Sequence, residues 1–149
     1  MTQLLDLYKE AKISQAITPT AGAAGTSDID GAALDMSGFE SVTTIITLGA
    51  ITANAVTSIK MQQSDSSGSG YSDLTGTSIT VADDDDEEIK VIALVKPEKR
   101  YVRVQVARST QNAVVASAEY IQLGAMKAPT TQPTGVEGES HVSPVEGTA

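Results

Sequence analysis

The clearest alternation of apolar and polar positions in this chain lies between Ile89 and Leu123. The segment reads IKVIALV, KPEKR, YVRVQVA, RSTQN and AVVASAEYIQL in succession. In its middle run, Val102, Val104 and Val106 alternate with polar residues, the period of two typical of a strand with one buried face. The pattern predicts three successive β-strands, with a turn at KPEKR and a polar break at RSTQN.

The third of these runs, from Ala113 to Leu123, carries apolar residues on both of its faces. Val115 shares a face with Glu119, whereas Tyr120 lies on the opposite face with polar Gln122. A slip of one residue in register moves every side chain of a strand to the other face. We therefore expect a strand that is covered on both sides, or one whose register shifts midway.

Further strands are predicted earlier in the chain by β-branched residues and by alternation. They cover Lys12 to Ile17, Ile29 to Asp35 (a weak strand), Ser41 to Gly49, Ala55 to Asp65 and Thr77 to Val81. The short connection from Gly49 to Asn54 predicts that the two strands around it pair antiparallel. We expect Phe39, the single phenylalanine, to be buried.

These elements predict an all-β antiparallel sandwich of about seven or eight strands. We place the sandwich at residues 13–124, an N-terminal arm or short helix at 1–12, and an extended C-terminal arm at 125–149. The chain has no tryptophan and one phenylalanine, so its core must be thin and aliphatic.

Both arms carry apolar side chains that need a surface. Leu4, Leu7, Tyr8 and Ala11 have helical spacing, but such a short helix is marginal in water unless it packs on its own domain or on a neighbour. The C-terminal arm is rich in proline, glycine and polar residues and cannot bury enough apolar surface to fold alone. We expect it to be disordered or ordered by another subunit. The single histidine, His141, lies there without a predicted partner.

Two charged clusters stand out. Six consecutive acids at Asp83–Glu88 indicate a solvated hairpin loop, a contact with a basic partner or a calcium site, although EF-hand spacing is absent. Five of the ten basic residues lie within Lys96–Arg108. They form either a solvated turn and strand face or a basic patch. Such a patch would meet an acidic neighbour, including the Asp83–Glu88 run of a second copy.

Composition argues against several functions. The net charge of −9 disfavours nucleic acid, whose phosphates require a basic face. No cysteine is present, and no phosphate-binding glycine motif occurs. No run approaches the length of a membrane span. We therefore expect a protein that is not an enzyme, binds no cofactor or metal, and has no nucleic-acid or membrane partner.

Several short motifs occur in an order that resembles the small capsid decoration proteins, or cement proteins, of tailed bacteriophages. The resemblance covers about Leu34 to Leu123. The matching residues are Gly38-Phe39, Gln63-Ser64-Asp65 with Ser67-Gly68, and Lys99-Arg100-Tyr101 with Val104. The arms lie outside it.

The resemblance implies a jelly-roll-like sandwich on the outer capsid surface that bridges major capsid subunits, commonly as a dimer or trimer. We expect a virion protein, made in the host cytoplasm, whose partners are the major capsid protein and copies of itself. The candidate contacts are Leu4, Leu7, Tyr8, Lys96, Lys99, Arg100, Arg103, Arg108, Lys127, Val136, Val142 and Val145.

Two alternatives remain at this point. One is a virion-borne or secreted sandwich that recognises host glycans through its loops, for which Tyr71 in the Ser64–Gly76 loop is the candidate aromatic residue. The other is a tail or head-to-tail structural component that assembles as a ring.

Overall fold

Two antiparallel β-sheets pack against each other in this protein, for which a computed structural model describes residues 6–148. The elements in chain order are α1 (Leu7–Glu10), β1 (Lys12–Ile17), β2 (Ile29–Asp30), β3 (Leu34–Asp35), β4 (Ser41–Ile51), β5 (Val56–Ser64), β6 (Ser72–Asp73), β7 (Ile79–Val81), β8 (Ile89–Val95), β9 (Tyr101–Ser109) and β10 (Ala113–Leu123). The predicted all-β antiparallel sandwich is confirmed.

The first sheet has the strand order β1-β10-β4-β8. The second sheet has the order β2-β9-β5-β6, with β3 also pairing with β9 and β7 with β5. Every pair is antiparallel. The first sheet is therefore built from long strands, whereas short strands form both edges of the second.

From β4 onward, successive long strands lie in opposite sheets. The chain passes from β4 in the first sheet to β5 in the second, and again between sheets at β8–β9 and β9–β10. The prediction that the strands around Gly49–Asn54 pair with each other is therefore wrong. Packed sheets lie about 10 Å apart, and a few extended residues span that distance. A short connection can thus cross the core instead of closing a hairpin.

The core lies between the sheets and is mainly aliphatic, as the composition predicts. The largest fully buried side chains include Ile46 and Leu48 of β4, Ile59 and Met61 of β5, and Tyr120 of β10. Phe39 packs against this cluster but is only partly buried, so the prediction that it is buried holds only in part. It lies in the turn before β4, at the margin of the core.

Strand β10 shifts register, which confirms one of the two predicted explanations for its mixed faces. Its pairing with β4 is irregular between Ala113 and Val115 and again between Val115 and Ser117. The buried positions change accordingly from Ala113 and Val115 to Ala118 and Tyr120. Each half of the strand thus turns its apolar residues toward the core.

The weak strand predicted at 29–35 is split into β2 and β3, and Tyr120 fills the gap between them. Its hydroxyl accepts a hydrogen bond from Val104 N (2.9 Å) and donates one to the Ala32 carbonyl (2.8 Å). Gly31 permits the close approach, since a Cβ there would lie 2.7 Å from Val104 Cγ1. Burial raises the pKa of the Tyr120 phenol, so the hydroxyl keeps its proton.

We predict that Tyr120→Phe lowers the free energy of unfolding by about 2 to 4 kcal/mol. The substitution leaves the buried Val104 amide and the partly buried Ala32 carbonyl without this partner, and a buried group that loses its partner costs about 1 to 3 kcal/mol. Chemical denaturation monitored by circular dichroism measures the change. Tyr101→Phe removes the same atom from a half-exposed ring and should change stability by less than about 0.5 kcal/mol. Equal effects of the two variants would contradict the assigned role of Tyr120.

Candidate interaction surfaces

The N-terminal arm forms a single helical turn that leads directly into β1. Asp6 caps α1 by accepting a hydrogen bond from Lys9 N. Of the predicted apolar stripe, Ala11 is fully buried, Tyr8 is half-buried, and Leu7 is 52% exposed. Leu4 lies outside the described residues. Ala11 and part of Tyr8 therefore pack on the domain, whereas Leu7 faces the solvent.

The C-terminal arm lies back along the N-terminal arm of the same chain. Gln132 Nε2 donates to the carbonyls of Tyr8 and Ala11 (both 2.8 Å), and its Oε1 accepts from Ile13 N (2.9 Å). The Thr130 hydroxyl donates to Ala11 O (2.6 Å). The expectation of a disordered arm, or of one held by another subunit, is corrected for this part, because intramolecular hydrogen bonds hold it.

Contact between the arms continues up to Ser140. At Gly138 the chain passes so close to the Tyr8 ring that a Cβ would lie 2.8 Å from Cε2. The Ser140 hydroxyl is hydrogen-bonded to the Asp6 carboxylate, and this bond is the main cause that lowers the Asp6 pKa. A groove of about 760 Å³ separates residues 6–10 from residues 140–143. We call this region the arm surface.

At the arm surface and just after it, the chain exposes apolar side chains. Val142 is 81% exposed and Val145 is 93% exposed. Val136, also predicted as a contact, is half-buried and lines a shallow hollow with Ile13. Lys127 is exposed. The structure thus brings Leu7, Tyr8 and Val142 together around one groove.

The predicted basic cluster is largely neutralised within the chain. Lys99 pairs with Asp65, Arg100 with Asp35, and Arg103 with Asp30. The Arg100 guanidinium holds the pKa of the Asp35 carboxyl well below its usual range. Lys96 is exposed and forms no ion pair within residues 6–148. The region therefore does not present a continuous basic patch.

Arg108 requires a correction, because it is buried and unavailable as a surface contact. Its Nε donates to the Ser27 carbonyl, and its Nη1 donates to the carbonyls of Ala23 and Ala113 (2.7 Å each). Burial lowers its pKa, and nearby Asp28 opposes that shift. Arg108 therefore anchors the loop between β1 and β2, a role that the sequence pattern does not indicate.

Tyr71 is fixed within its loop. Its ring lies under the Arg103 guanidinium, 4.2 Å from the centroid to Cζ, and its hydroxyl donates to the Ser67 carbonyl (3.0 Å). Leu74 packs against the core. The aromatic residue that would stack on a sugar is thus already engaged by a neighbouring side chain.

The acidic run is not a hairpin loop, because it joins β7 in the second sheet to β8 in the first. Asp86 Oδ1 accepts from Ile51 N (2.7 Å) and Asp83 Oδ2 from Asn54 N (2.5 Å). Asp85 accepts from Lys90 Nζ, which lowers the Asp85 pKa and raises the Lys90 pKa. Glu88 also accepts from Lys90 Nζ, so four of the six carboxylates have partners within the chain. No group of three potential metal ligands forms among them in the part of the chain that the structure describes.

The prediction of contact residues missed an exposed apolar row on β8. Ile89 is 61% exposed, Val91 51% and Val95 68%, and Ala93 between them is also exposed. The signal was present in the sequence, because IKVIALV is apolar at nearly every position and therefore on both faces. Such runs are typical of strands covered on two sides.

The single histidine has a carboxylate beside it, but the described residues contain no larger group of potential metal ligands. His141 lies 2.7 Å from Glu139, but both side chains are mostly exposed. No group of three or more potential metal ligands occurs within residues 6–148. In the same range, no helix has the length and apolar character required to span a membrane.

Comparison with known proteins gives no family: no protein-family model matches the chain, and no curated protein matches it significantly.

We predict that Arg108→Gln lowers the free energy of unfolding by about 3 kcal/mol or more. Hydrogen bonds from a charged donor contribute about 1.5 to 3 kcal/mol each, and the shorter amide cannot reach all three carbonyls. Thermal and chemical denaturation measure the loss. Arg100→Gln removes an exposed ion pair of the same charge type and should have a much smaller effect. A larger loss for Arg100→Gln would contradict the assignment.

We predict that Gln132→Ala frees the C-terminal arm without unfolding the sandwich. The Ile13 amide loses its hydrogen-bond acceptor and should exchange with solvent several-fold faster. Residue-resolved hydrogen exchange measures this rate. Gln15→Ala, at an exposed position on β1, is the matched control and should leave the rate unchanged. If the Ile13 amide of Gln132→Ala exchanged as slowly as in the natural protein, the Gln132 hydrogen bonds would not be what holds the arm. We refer to these hydrogen bonds as the Gln132 clamp.

Proposed function

We propose that this protein is a non-enzymatic structural component that binds the outside of an assembled tailed-phage capsid and bridges its major capsid subunits. The observation that carries the proposal is the arm surface. Residues 6–10 and 140–143 line one groove beside the edge strand β1, where Leu7 and Val142 are exposed, and Val145 three residues further on is exposed as well. Exposed apolar residues grouped near a groove are typical of protein–protein contact sites.

The fold supports this proposal. If β2 with β3 and β6 with β7 are counted as two interrupted strands, the sandwich has eight strands in two four-stranded sheets. That count, together with the crossing of successive strands between sheets, suits the jelly roll that the resemblance implies. The same architecture serves many functions, so the arms and the resemblance must supply the functional argument.

The charge distribution favours an apolar contact over an electrostatic one. Lys99, Arg100 and Arg103 are paired with acids of their own chain, and the net charge is −9. A basic capsid surface would be attracted at long range, which raises the rate of encounter. Once bound, the protein would be held on the shell by the exposed valines of its C-terminal arm.

The proposed mechanism is thermodynamic. A protein that binds only the assembled shell stabilises that state in proportion to the logarithm of its concentration relative to its Kd. Two arms attached to one body hold more tightly than either alone, because the second contact forms at high effective concentration. The protein would therefore oppose shell disruption by heat or by genome pressure from the virion surface.

The glycan alternative has lost its main support, because the Tyr71 ring is covered by Arg103 on one face. A component of the tail or of the head-to-tail connection would share this sandwich and differ in assembly symmetry. Co-sedimentation with shells separates a decoration protein from a glycan-binding protein and from a tail component, because neither of the latter would saturate the whole shell surface.

We predict that the purified protein co-sediments with shells of its cognate major capsid protein at a fixed saturating ratio. The double variant Val142→Ser/Val145→Ser should weaken binding by about tenfold or more, because each buried valine contributes about 1.5 kcal/mol or more. Sedimentation across a concentration series gives the ratio and the Kd. Truncation after Ser140 should have at least the same effect while preserving the Gln132 clamp.

Val56→Ser is the matched control, since Val56 is 60% exposed on β5 in the second sheet, whereas the C-terminal arm is hydrogen-bonded beside β1 of the first sheet. It should bind shells like the natural protein. If the natural protein stays in the supernatant at every concentration, the capsid proposal fails. If it binds but the valine variants bind equally well, the arm surface is not the contact.

A further inference from the structure

Strand β8 leaves one edge of the first sheet open. It is the last strand in the order β1-β10-β4-β8. At the opposite edge, the Gln132 side chain already accepts a hydrogen bond from the Ile13 amide of β1. The edges of the second sheet are made from strands of two or three residues. Among the described residues, β8 is therefore the long edge strand that nothing covers, and such an edge is a template for pairing.

The hydrogen bonds at the two ends of β8 show which backbone groups face outward. Leu48 N donates to the Glu88 carbonyl and Lys96 N donates to the Glu40 carbonyl, so even-numbered residues of this strand face β4. Backbone groups alternate in direction along a strand. The amides and carbonyls of Ile89, Val91, Ala93 and Val95 therefore face the open edge.

The same four residues expose their side chains on the outer face of the sheet. Ile89, Val91 and Val95 are each more than half exposed, and no charge or proline interrupts the row. Natural proteins protect long edges with lysines, prolines or bulges. The one charged residue of β8, Lys90, points the other way and is held by Asp85 and Glu88.

We propose that a second copy of this chain pairs with β8 in antiparallel orientation, around a two-fold axis at Ile92. Ile89 then lies opposite Val95 of the second copy, and Val91 lies opposite its Ala93. These are the residues with outward-facing backbone groups, so each such pair exchanges both of its hydrogen bonds. The two apolar rows align, and two four-stranded sheets become one continuous sheet.

Charge complementarity selects this orientation. The acidic run precedes β8 and the KPEKR turn follows it. Antiparallel pairing in this register places Glu88 opposite Lys96 of the second copy, which forms no ion pair within residues 6–148. Glu88 also pairs with Lys90 of its own chain, but 52% of its side chain remains exposed. Parallel pairing would instead bring two acidic runs together, and like charges placed directly opposite are destabilising. The contact occurs twice because a two-fold interface is self-complementary.

The interface is confined to the length of β8. Glu87 and Lys96 both adopt left-handed backbone conformations, with φ of 60° and 51°, so the chain turns away at each end of the strand. This pairing does not depend on the capsid proposal, and it leaves the arm surface on β1 free, because β1 and β8 are opposite edges of the first sheet.

Sedimentation equilibrium of the full chain over a wide concentration range tests the pairing. We expect a mass of twice 15.4 kDa. Val91→Lys should raise the dimer Kd by about tenfold or more, because a lysine on an edge strand opposes pairing. Ala93→Pro should have the same effect, since it removes one outward amide while leaving the ladder with β4 intact.

The matched control is Val56→Lys, which places the same charge at an equally exposed valine on β5, away from the β8 edge. It should leave the dimer Kd unchanged. Circular dichroism establishes that each variant remains folded. A chain that is monomeric at every concentration overturns the proposal, and so does a dimer that Val91→Lys and Ala93→Pro leave intact.

A charge exchange tests the register itself. Lys96→Glu should weaken the dimer several-fold, and adding Glu88→Lys should restore it, because the pair is re-formed with reversed signs. Failure of this rescue overturns the proposed register. If the natural chain is monomeric but Val91→Lys abolishes shell co-sedimentation, a capsid strand occupies this edge and self-pairing is excluded.

Discussion

Burial of aliphatic side chains between two sheets is the interaction on which this fold depends. With no tryptophan and one phenylalanine, the chain stabilises itself with valine, isoleucine, leucine and methionine drawn from both sheets. From β4 onward, successive long strands lie in opposite sheets, so the chain passes repeatedly from one side of this apolar layer to the other. Two buried polar groups support the crossings. Tyr120 completes the ladder where β2 and β3 are interrupted, and Arg108 holds the loop that precedes β2.

The charged residues are divided between internal support and solvent. Asp83 and Asp86 bind backbone amides at the end of β4 and in the turn that follows it, while Lys99, Arg100 and Arg103 pair with acids. What remains for partners is mainly apolar: the β8 row at one edge of the first sheet and the arm valines near the other. The proposed capsid contact and the proposed self-pairing therefore use separate surfaces.

Local structure followed closely from sequence, because alternation reports directly on the burial of one face. The bounds of β1 match the prediction, and of the two explanations predicted for the mixed faces of β10, the register shift is confirmed. Strand neighbours were harder to predict, since a short connection fits either a hairpin or a crossing between sheets. The role of Arg108 was not predictable either, because its partners are backbone carbonyls, which leave no trace in side-chain identity. β8 is apolar on both faces, so its sequence did not show that only one face is buried; the packing of its sheet determines this.

The position of β10 bears on how the chain reaches this structure. Of the strands within residues 6–148, β10 is synthesised last, yet it lies between β1 and β4 and joins them into one sheet. Until it emerges from the ribosome, β1 has no strand partner and one side of β4 is unpaired. The closing contacts are therefore among the most distant in sequence, and contacts of this kind make folding slow. During synthesis the chain must carry an incomplete sheet with exposed strand edges, the state in which β proteins are most prone to aggregate.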